Sequence, residues 1–600
     1  MKVEETKTKK YNRFISKNWR LFVIMILAII FFAISSSYNF IAQSADYVKW
    51  GSPDENANYV FSTVYSNTDS LTIKERYNLY SGGLIHPRSF KSDGPWLKPL
   101  SFLGIILIFG KIASFFGNHV IPYLTPFFAS IGLVFFYLWL QRIFNKKIAF
   151  LSSLLLFSFP VYIYYTSRSM FHNVLFVVFV IIFLYFSSYI VSSKKIKTKF
   201  LSYKPKLSYI FSLVSSYLAG LFLALAIIAR TSEILWLIPV VFLAWIFYFR
   251  SISIVKILLF LAGMFSGLLP MFYYNQILYG AFWQGGYSEM NDSLLTLSKS
   301  SGDLVKSTVN KETDMLKSAF NSIKDTIFYF GLKPWQSVEM FIIYFAKMFW
   351  YLFIPLVLGF LMSLANIYKW PKKYWLYVLS WLFLSAVLIF YYGSWKFTDN
   401  PDASSHTIGN SYTRYWLPIY LGAMPIISIF FDMFSKYIFR QKKYWTSIAR
   451  NGLIAIFIFI IYLLSFYFLV FGSEEGLYYT YLNFKKDQEN VERVWEQTEP
   501  NAVIVTEFHD KLLFPERKVI RGLLTDPNMN HYYAQVADKL PLYYFNFTFP
   551  EKDVKYLNER RLPEHNMNIK LKKEISSEFS LYRLYLIEDQ ELIENQEEKN

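Results

Sequence analysis

Cysteine is absent from this 600-residue chain, and charged residues make up only 17% of it. Without cysteine, no disulfide, thiolate nucleophile or thiolate metal site can form. Soluble proteins carry charge on about a quarter of their residues, so this composition does not fit a fully water-exposed surface. Hydrophobic residues make up 54% and form runs of about 20, which can cross a ~30 Å hydrocarbon core as helices. The sequence therefore predicts an all-α polytopic membrane protein.

Twelve apolar runs are candidate spans: 21–43, 99–117, 120–141, 148–165, 170–191, 208–229, 234–249, 252–273, 338–366, 374–393, 414–434 and 451–471. The run at 99–117 contains Lys111, and a lysine at a helix centre costs roughly 3 kcal/mol in lipid. Proline and glycines interrupt this run as well. We therefore predict an interfacial or re-entrant helix there and about 11 transmembrane helices.

Loop charges predict how these spans are oriented. With residues 1–20 inside and 99–117 not crossing, the cytoplasmic loops hold 26 lysines and arginines in 73 residues, against 15 in 147 opposite. The positive-inside tendency then predicts a multi-pass protein of the plasma membrane with a cytoplasmic N-terminus and outer loops at 44–98 and 275–337. The net charge of +18 is thus explained by topology, and no nucleic-acid partner is predicted.

The residues after the last run, 472–600, are predicted to form a separate domain beyond the membrane part, 21–471. They hold 17 lysines and arginines against 24 acidic residues, unlike the basic membrane part. Short strands are predicted at 501–508, 517–523 and 579–588. The sequence therefore predicts a small extracytoplasmic mixed α/β domain, without a recognisable catalytic motif.

An acidic pair, Asp54 and Glu55, follows the first apolar run. The Asp54 carboxylate could act as a general base or orient an acceptor, and Glu55 is a second catalytic candidate. The alternative is that Asp54 caps a helix starting near Glu55, whose own charge suits a first helical turn. The helical part of this loop is predicted at 67–80, where Asn67 or Asp69 would cap it.

Four cations lie at or near the outer ends of predicted spans: Arg168, Arg230, Lys333 and Arg414. Ionisable residues at membrane depth are functional candidates because lipid disfavours them, and a guanidinium can bind two phosphate oxygens at once. These residues are therefore candidates for binding a lipid phosphate. The alternatives are snorkelling toward headgroups and, for Arg230, pairing with Glu233.

Three residues in the outer loops are candidates for substrate binding: His86, Asn275 and Tyr287. Ordinary loop packing is the alternative for Asn275 and Tyr287. His86 could instead ligate a divalent metal with Asp54 or Asp93, although a single histidine is more often a surface hydrogen-bonding residue. No ligand spacing defines a metal site, so the sequence leaves a metal requirement open.

The order of several motifs resembles the GT-C superfamily of membrane glycosyltransferases, above all bacterial relatives of the protein O-mannosyltransferases and of the lipid A aminoarabinose transferase. The motifs are SPDENANY (52–59), HPRSFKSDGPWLKPLSFLG (86–104), LQRIFNKK (140–147), Arg168, ARTSE (229–233), YYNQILYGAFWQGGY (273–287) and TRYWLP (413–418). The resemblance covers residues 20–430. It departs at Asn173, where family members often carry an acid five residues after the arginine.

This resemblance implies a GT-C-like transmembrane domain and a hexosyltransferase, such as a mannosyltransferase. It would transfer sugar from a polyprenyl-phosphate donor to a glycan, lipid or protein acceptor on the outer face, with inversion if the displacement is single. Asp54, Arg168 and Arg414 are then expected to face one outer cavity. Two other functions stay open: a transporter or flippase for a cell-envelope precursor, although no paired halves are visible, and a non-catalytic assembly protein.

Overall fold

Long apolar helices dominate the computed structural model, which describes residues 2–44, 46–191, 207–286, 331–365, 367–397, 399–400, 402, 404–440, 444–472 and 474–589. Within these ranges nine helices are long and apolar enough to cross a membrane, or eleven if each of two bent pairs is one span. The nine are Asn18–Ala42, Asn118–Ile143, His172–Ile190, Leu207–Ala229, Thr231–Tyr248, Ile254–Tyr279, Lys372–Gly393, Leu417–Ile438 and Thr446–Phe471. The chain is thus a multi-pass membrane protein with the predicted number of spans.

Two of the predicted runs are bent helix pairs. Lys146–Ser158 and Pro160–Ser167 meet at 52°, and Pro334–Lys347 and Trp350–Leu364 meet at 101°. The first break falls at Phe159, which is extended because a residue before proline avoids the helical region. Each helix pair overlaps one predicted apolar run, but the runs did not predict the bends.

The apolar run that was predicted not to cross forms the helix Leu103–Phe116. Its 14 residues rise about 21 Å, less than the ~30 Å of a hydrocarbon core. Lys111 is exposed and its Nζ lies 3.7 Å from Oδ1 of Asp69. A Cβ on Gly110 would lie 2.7 Å from the Ser62 carbonyl oxygen, so this glycine permits a close approach to the helix Pro53–Thr68.

Two spans pack through glycine. A Cβ at Gly220, on the helix Leu207–Ala229, would collide with the carbonyl of Phe260. A Cβ at Gly263, on the helix Ile254–Tyr279, would collide with the carbonyl of Tyr217. Small residues let helix backbones approach closely in lipid, where van der Waals packing drives association.

The contacts divide the chain into two compact units. The first comprises Met1–Asn39, Pro122–Met271 and Leu297–Thr480, and includes most of the spans. The second comprises Phe40–Ile121, Phe272–Thr296 and Tyr481–Asn600. Whereas the domains predicted from sequence follow chain order, each of these units is assembled from three separate segments.

The second unit contains two sheets. Strands β1 (Ile73–Lys74), β2 (Phe90–Asp93) and β3 (Trp96–Pro99) form an antiparallel sheet in the order β1-β3-β2. The larger sheet consists of β4 (Val503–Thr506), β5 (Lys518–Arg521), β6 (Leu542–Phe547), β7 (Met567–Glu574) and β8 (Phe579–Leu586). Its strand order is β5-β4-β6-β8-β7, with β4 parallel to β5 and β6 and the other pairs antiparallel. The predicted strands at 501–508, 517–523 and 579–588 are confirmed, and β6 and β7 were missed.

Shorter helices complete the second unit and join the spans of the first. They include Pro53–Thr68, Ser411–Tyr415, Leu477–Glu496, Asp510–Leu513, Pro527–Ala537 and Glu551–Tyr556. One residue of the first loop, Ile85, lies in the core of the second unit with Ile520 and Tyr533, all at most 1% exposed. Burying such a side chain stabilises the fold by about 1.5–3 kcal/mol. Ile85 therefore anchors the first loop in the core of the second unit.

The predicted helix at 67–80 is wrong. The helix of this loop is Pro53–Thr68, and Asp69 ends it in a left-handed conformation with a φ of +50°. Pro53 suits the first helical turn, and the capping residues around it start the helix earlier than predicted. The stretch that was predicted helical instead contains β1 and the short 3₁₀ turn Arg76–Leu79.

Candidate active site

Arg168 lies in the turn that follows the first bent helix pair. The helix Pro160–Ser167 ends with Arg168 as its C-cap. The next residue, Ser169, has a φ of +75°, and its hydroxyl donates to the Pro122 carbonyl at 2.6 Å. The turn is therefore fastened to the start of an earlier span, Asn118–Ile143, and it presents Arg168 at the end of a span.

One aromatic ring, that of Phe171, lies against two guanidinium groups. The Cζ atom of Arg414 is 4.5 Å from the ring centroid and that of Arg168 is 5.0 Å from it. Arg414 comes from the short helix Ser411–Tyr415, directly before the span Leu417–Ile438. A cation–π interaction with the ring stabilises each guanidinium, but the two like charges repel each other. An anion bound beside them would therefore be stabilised. We call Arg168 and Arg414 the arginine pair.

Asn173 bonds to the backbone of one member of the arginine pair, Arg414. Its Nδ2 donates to the carbonyl oxygen of Arg414 at 3.2 Å. Nη2 of Arg414 in turn donates to the Ser411 hydroxyl at 2.8 Å. At the position where the motif resemblance predicts an acid, this chain therefore has an amide that bonds to the Arg414 backbone.

Arg230 is held in a buried hydrogen-bond network. Its Nε donates to Oε1 of Glu233 at 3.1 Å and its Nη2 donates to the Tyr392 hydroxyl at 2.8 Å. That hydroxyl donates to Glu233 at 2.7 Å, and Nε1 of Trp236 donates to the other carboxylate oxygen at 2.5 Å. The guanidinium also lies 4.6 Å from the ring centroid of Tyr415. This geometry favours the alternative role for Arg230, pairing with Glu233, while phosphate binding stays a prediction.

We expect Glu233→Gln to lower the free energy of unfolding by about 3–5 kcal/mol, because it leaves the Arg230 guanidinium buried without a countercharge. Thermal unfolding of the detergent-solubilised full chain would measure the change. Glu559→Gln is the matched control, because the Lys555–Glu559 pair is exposed and such pairs stabilise little. Equal shifts in both variants would contradict a structural role for the buried pair.

Glu475 interacts electrostatically with both members of the arginine pair. The Thr407 hydroxyl bonds to its carboxylate, and a Cβ on Gly409 would lie 2.5 Å from Oε2. Burial raises the pKa of Glu475, while the charges of Arg168 and Arg414 act in the opposite direction. The acids Asp399 and Glu474 raise this pKa further. When it is ionised, the Glu475 carboxylate therefore partly neutralises the positive charge of the arginine pair.

Asp54 is not the N-cap of its helix. The helix begins at Pro53 with Ser52 as the N-cap, which puts Asp54 inside the first turn. Oδ1 of Asp54 accepts a hydrogen bond from the Ser89 hydroxyl at 2.5 Å. By contrast Glu55 is fully buried, and its Oε2 accepts from the Ser52 amide at 3.2 Å as part of a capping box. The structure thus removes the capping alternative for Asp54 and gives Glu55 a structural role.

His86 is partly buried before Pro87. Its Nδ1 lies 2.9 Å from the Pro87 carbonyl oxygen, and burial lowers its pKa, which that contact and Asp510 oppose. In the described part of the chain, no group of three or more histidine or acidic side chains could hold a metal ion. Neither His86 nor Asp54 belongs to such a group, and the mechanism proposed below uses no metal.

The remaining candidates have varied surroundings. Lys333 is exposed at the start of the helix Pro334–Phe341, where its amide donates to the Ser394 hydroxyl at 3.0 Å. Asn275 is buried and donates to the Phe282 carbonyl at 3.1 Å, which supports ordinary packing. Tyr287 lies outside the described residues.

Two acids that contact or influence the candidate residues were not predicted from the sequence. Glu475 follows the last apolar run, and the rule that selected the arginines at span ends could have found it. Asp510 binds Arg88 through both carboxylate oxygens, but nothing near it in the sequence signals this. Asp54 belongs to the second unit, whereas Arg168 and Arg414 belong to the first, and one outer cavity shared by all three stays a prediction.

Comparison with known proteins identifies the fold. No protein-family model and no curated protein matches the chain. The structure of the Archaeoglobus fulgidus oligosaccharyltransferase, tethered with an acceptor peptide containing the NVT sequon, is similar with a TM-score of 0.53 at 12% identity, over 92% of this chain and 72% of that one. ArnT from Cupriavidus metallidurans bound to undecaprenyl phosphate is similar with a TM-score of 0.51 at 9% identity, over 94% and 98%. The chain therefore has the GT-C fold, as the motif order predicted.

Proposed function

We propose that this protein is an integral-membrane glycosyltransferase that transfers a sugar from a polyprenyl-phosphate-linked donor to an acceptor on the outer face of the plasma membrane. The observation that carries the proposal is the arginine pair, two guanidinium groups from different helices at the ring of Phe171. The neighbours support it, since one binds undecaprenyl phosphate and the other carries an acceptor peptide.

The arginine pair would stabilise the leaving group. As the bond between sugar and phosphate breaks, negative charge grows on the phosphate. Guanidinium groups that are already oriented stabilise this charge without reorganising, and each can bind two oxygens. Both residues are partly buried at the ends of spans, where the phosphate of a membrane-embedded polyprenyl lipid would be found.

Asp54 would act as the general base. An acceptor hydroxyl must lose its proton as it attacks the anomeric carbon, and a carboxylate within hydrogen-bond reach can take it. Asp54 is partly exposed, and its Oδ1 is oriented by the Ser89 hydroxyl. A single displacement of this kind would invert the anomeric configuration.

The loop charges support a cytoplasmic N-terminus and an extracytoplasmic C-terminal domain. We favour a hexose such as mannose as the sugar, because the motif order resembles the protein O-mannosyltransferases. The acceptor would be a glycan, a lipid or a protein of the cell envelope.

The test uses the full chain in lipid vesicles with radiolabelled polyprenyl-phosphate mannose and separate glycan, lipid and peptide acceptors. We expect label in one acceptor class and release of one polyprenyl phosphate per sugar transferred. The anomeric configuration of the product, determined by NMR, is expected to be opposite to that of the donor.

The competing functions give different results in this assay. Movement of intact labelled donor across the bilayer without cleavage would favour a flippase. Neither transfer nor movement with any polyprenyl-phosphate sugar would favour a non-catalytic assembly protein. Either result would contradict the proposed transfer.

We expect donor affinity to fall as pH rises above about 4.5, the ordinary pKa of a glutamate. Because burial raises the pKa of Glu475, this carboxylate ionises over a higher range and then competes with phosphate for the arginine pair. Glu475→Gln cannot ionise, so it should bind the donor about 3- to 10-fold more tightly at pH 7 and lose this pH dependence. Binding of a polyprenyl-phosphate sugar from pH 4.5 to 7.5 would measure it, since this diester keeps one charge throughout.

Glu474→Gln is the matched control. Glu474 adjoins Glu475 but is exposed, and its Oε1 accepts from the Ser405 hydroxyl. We expect its donor affinity to keep a pH dependence, shifted slightly to lower pH because Glu474 no longer raises the pKa of Glu475. A flat profile in the wild-type chain would show that Glu475 does not compete for the arginine pair.

A further inference from the structure

Ser89, which bonds to the Asp54 carboxylate, has an unusual backbone conformation. Its φ is +66°, in the left-handed region that residues with side chains rarely adopt. Its carbonyl accepts from the amide of Leu100 at 3.1 Å, and its hydroxyl donates to Oδ1 of Asp54 at 2.5 Å. Backbone strain of this kind persists only where the surrounding structure enforces it, and such residues cluster at functional sites.

The enforcing contact is made by the preceding residue, Arg88. Its amide donates to Oδ2 of Asp510 at 2.7 Å, and its Nη2 donates to Oδ1 of Asp510 at 2.6 Å. Nη2 also donates to the Phe508 carbonyl at 3.1 Å. The Asp510 side chain is fully buried, so the two-oxygen contact is shielded from water. Main chain and side chain of Arg88 are thus both held by one carboxylate.

We propose that Asp510 is a positioning residue for Asp54, acting through Arg88 and Ser89; this rests on the proposed role of Asp54 as the base. The Asp510 carboxylate binds the Arg88 amide, which belongs to the peptide joining Pro87 to Arg88, and it binds the Arg88 side chain. It thereby fixes the residue directly before Ser89, and this sets the direction of the Ser89 hydroxyl. The hydroxyl holds one oxygen of Asp54 so that the other is presented to the acceptor. Displacing a reacting group by about 1 Å can lower a rate 10²-fold, so a fixed carboxylate has catalytic value.

A second ion pair joins the same parts of the second unit without reaching Asp54. Nζ of Lys518, on β5, bonds to Oε2 of Glu75 in the first loop. The Glu75 side chain is 8% exposed and that of Lys518 26%, against 0% for Asp510 and 28% for Arg88. The two ion pairs are therefore similarly buried. Glu75→Gln is a control for the general loosening of the loop that the loss of an ion pair would cause.

The experiment compares Ser89→Gly, Asp510→Asn and Glu75→Gln in the full chain, with kcat, KM for the donor and Tm measured for each. Glycine adopts a positive φ without strain, so Ser89→Gly removes the hydroxyl but keeps the backbone. We expect Ser89→Gly and Asp510→Asn each to lower kcat about 10-fold with little change in KM. The double variant should be no worse than the more impaired single variant, because both act through one chain of contacts. Glu75→Gln should keep the wild-type kcat.

Asp54→Asn separates this proposal from the proposed function. If Asp54→Asn is inactive but Ser89→Gly has the wild-type kcat, the positioning role is wrong and the base stands. If Asp54→Asn is as active as wild type, both fail. Equal loss of kcat in Asp510→Asn and Glu75→Gln would overturn the proposal in favour of simple loop attachment. Should Asp510→Asn fail to fold, Ser89→Gly alone decides.

Discussion

Asp54→Asn is expected to lower kcat for sugar transfer by a factor of about 10² to 10⁴, the contribution that general base catalysis typically makes. Asparagine has nearly the same shape and can still accept from the Ser89 hydroxyl, so folding should be preserved. Because the amide cannot take a proton, KM for the donor should stay close to wild type while kcat falls. Initial rates with radiolabelled donor at saturating acceptor would measure both.

Asp69→Asn is the matched control for this loss. Asp69 ends the same helix, its side chain is 73% exposed, and its φ of +50° suits asparagine. The same chemical change should therefore leave kcat and KM unaltered there. Wild-type kcat in Asp54→Asn would contradict the assignment of the base.

Arg414→Lys is expected to lower kcat/KM for the donor by a factor of about 10 to 100. Lysine keeps the positive charge but loses the planar fork that binds two phosphate oxygens, and one charge-assisted hydrogen bond is worth about 1.5–3 kcal/mol. The lysine would also lose the stacking of the guanidinium over Phe171. Combining it with Arg168→Lys should reduce kcat/KM by about 10³ if both groups contact the phosphate. Donor titrations with each single variant and the double variant would measure this.

Arg142→Lys is the matched control for the arginine pair. Arg142 also lies at the end of a span, with its Cζ 3.6 Å from the ring centroid of Tyr189, but it is not part of the pair. Its replacement should leave donor titrations unchanged. If Arg414→Lys and Arg142→Lys behave alike, the arginines pack against rings and do not bind phosphate.

Hydropathy located the spans because crossing a membrane demands a long apolar run, and that demand is local in sequence. The prediction that 99–117 does not cross the membrane also depended on a local feature, because a lysine side chain is costly in lipid. The Lys111 side chain is indeed exposed in the structure. The bend at Phe159 was visible in principle, because Pro160 follows it. The 101° bend between Lys347 and Trp350 has no comparable signal.

The candidate site was less predictable because its contacts are not local. The two alternatives for Asp54 depended on where a helix begins, and only the structure shows Ser52 as its N-cap. For Arg230 the pairing with Glu233 could be foreseen from their spacing, but the contribution of Tyr392 could not. Likewise, no pattern connects Arg88 with Asp510 across 422 residues.

That separation has a consequence for biosynthesis. At a typical translation rate of 5–20 residues per second, the ribosome adds Asp510 about 20–80 s after Arg88, because Asp510 is the 422nd residue after Arg88. Until then the first loop lacks the partner that holds Ser89 in its left-handed conformation, and Ile85 lacks its core. The first loop therefore cannot complete its fold while the later helices insert. In this interval it is most accessible to chaperones and proteases.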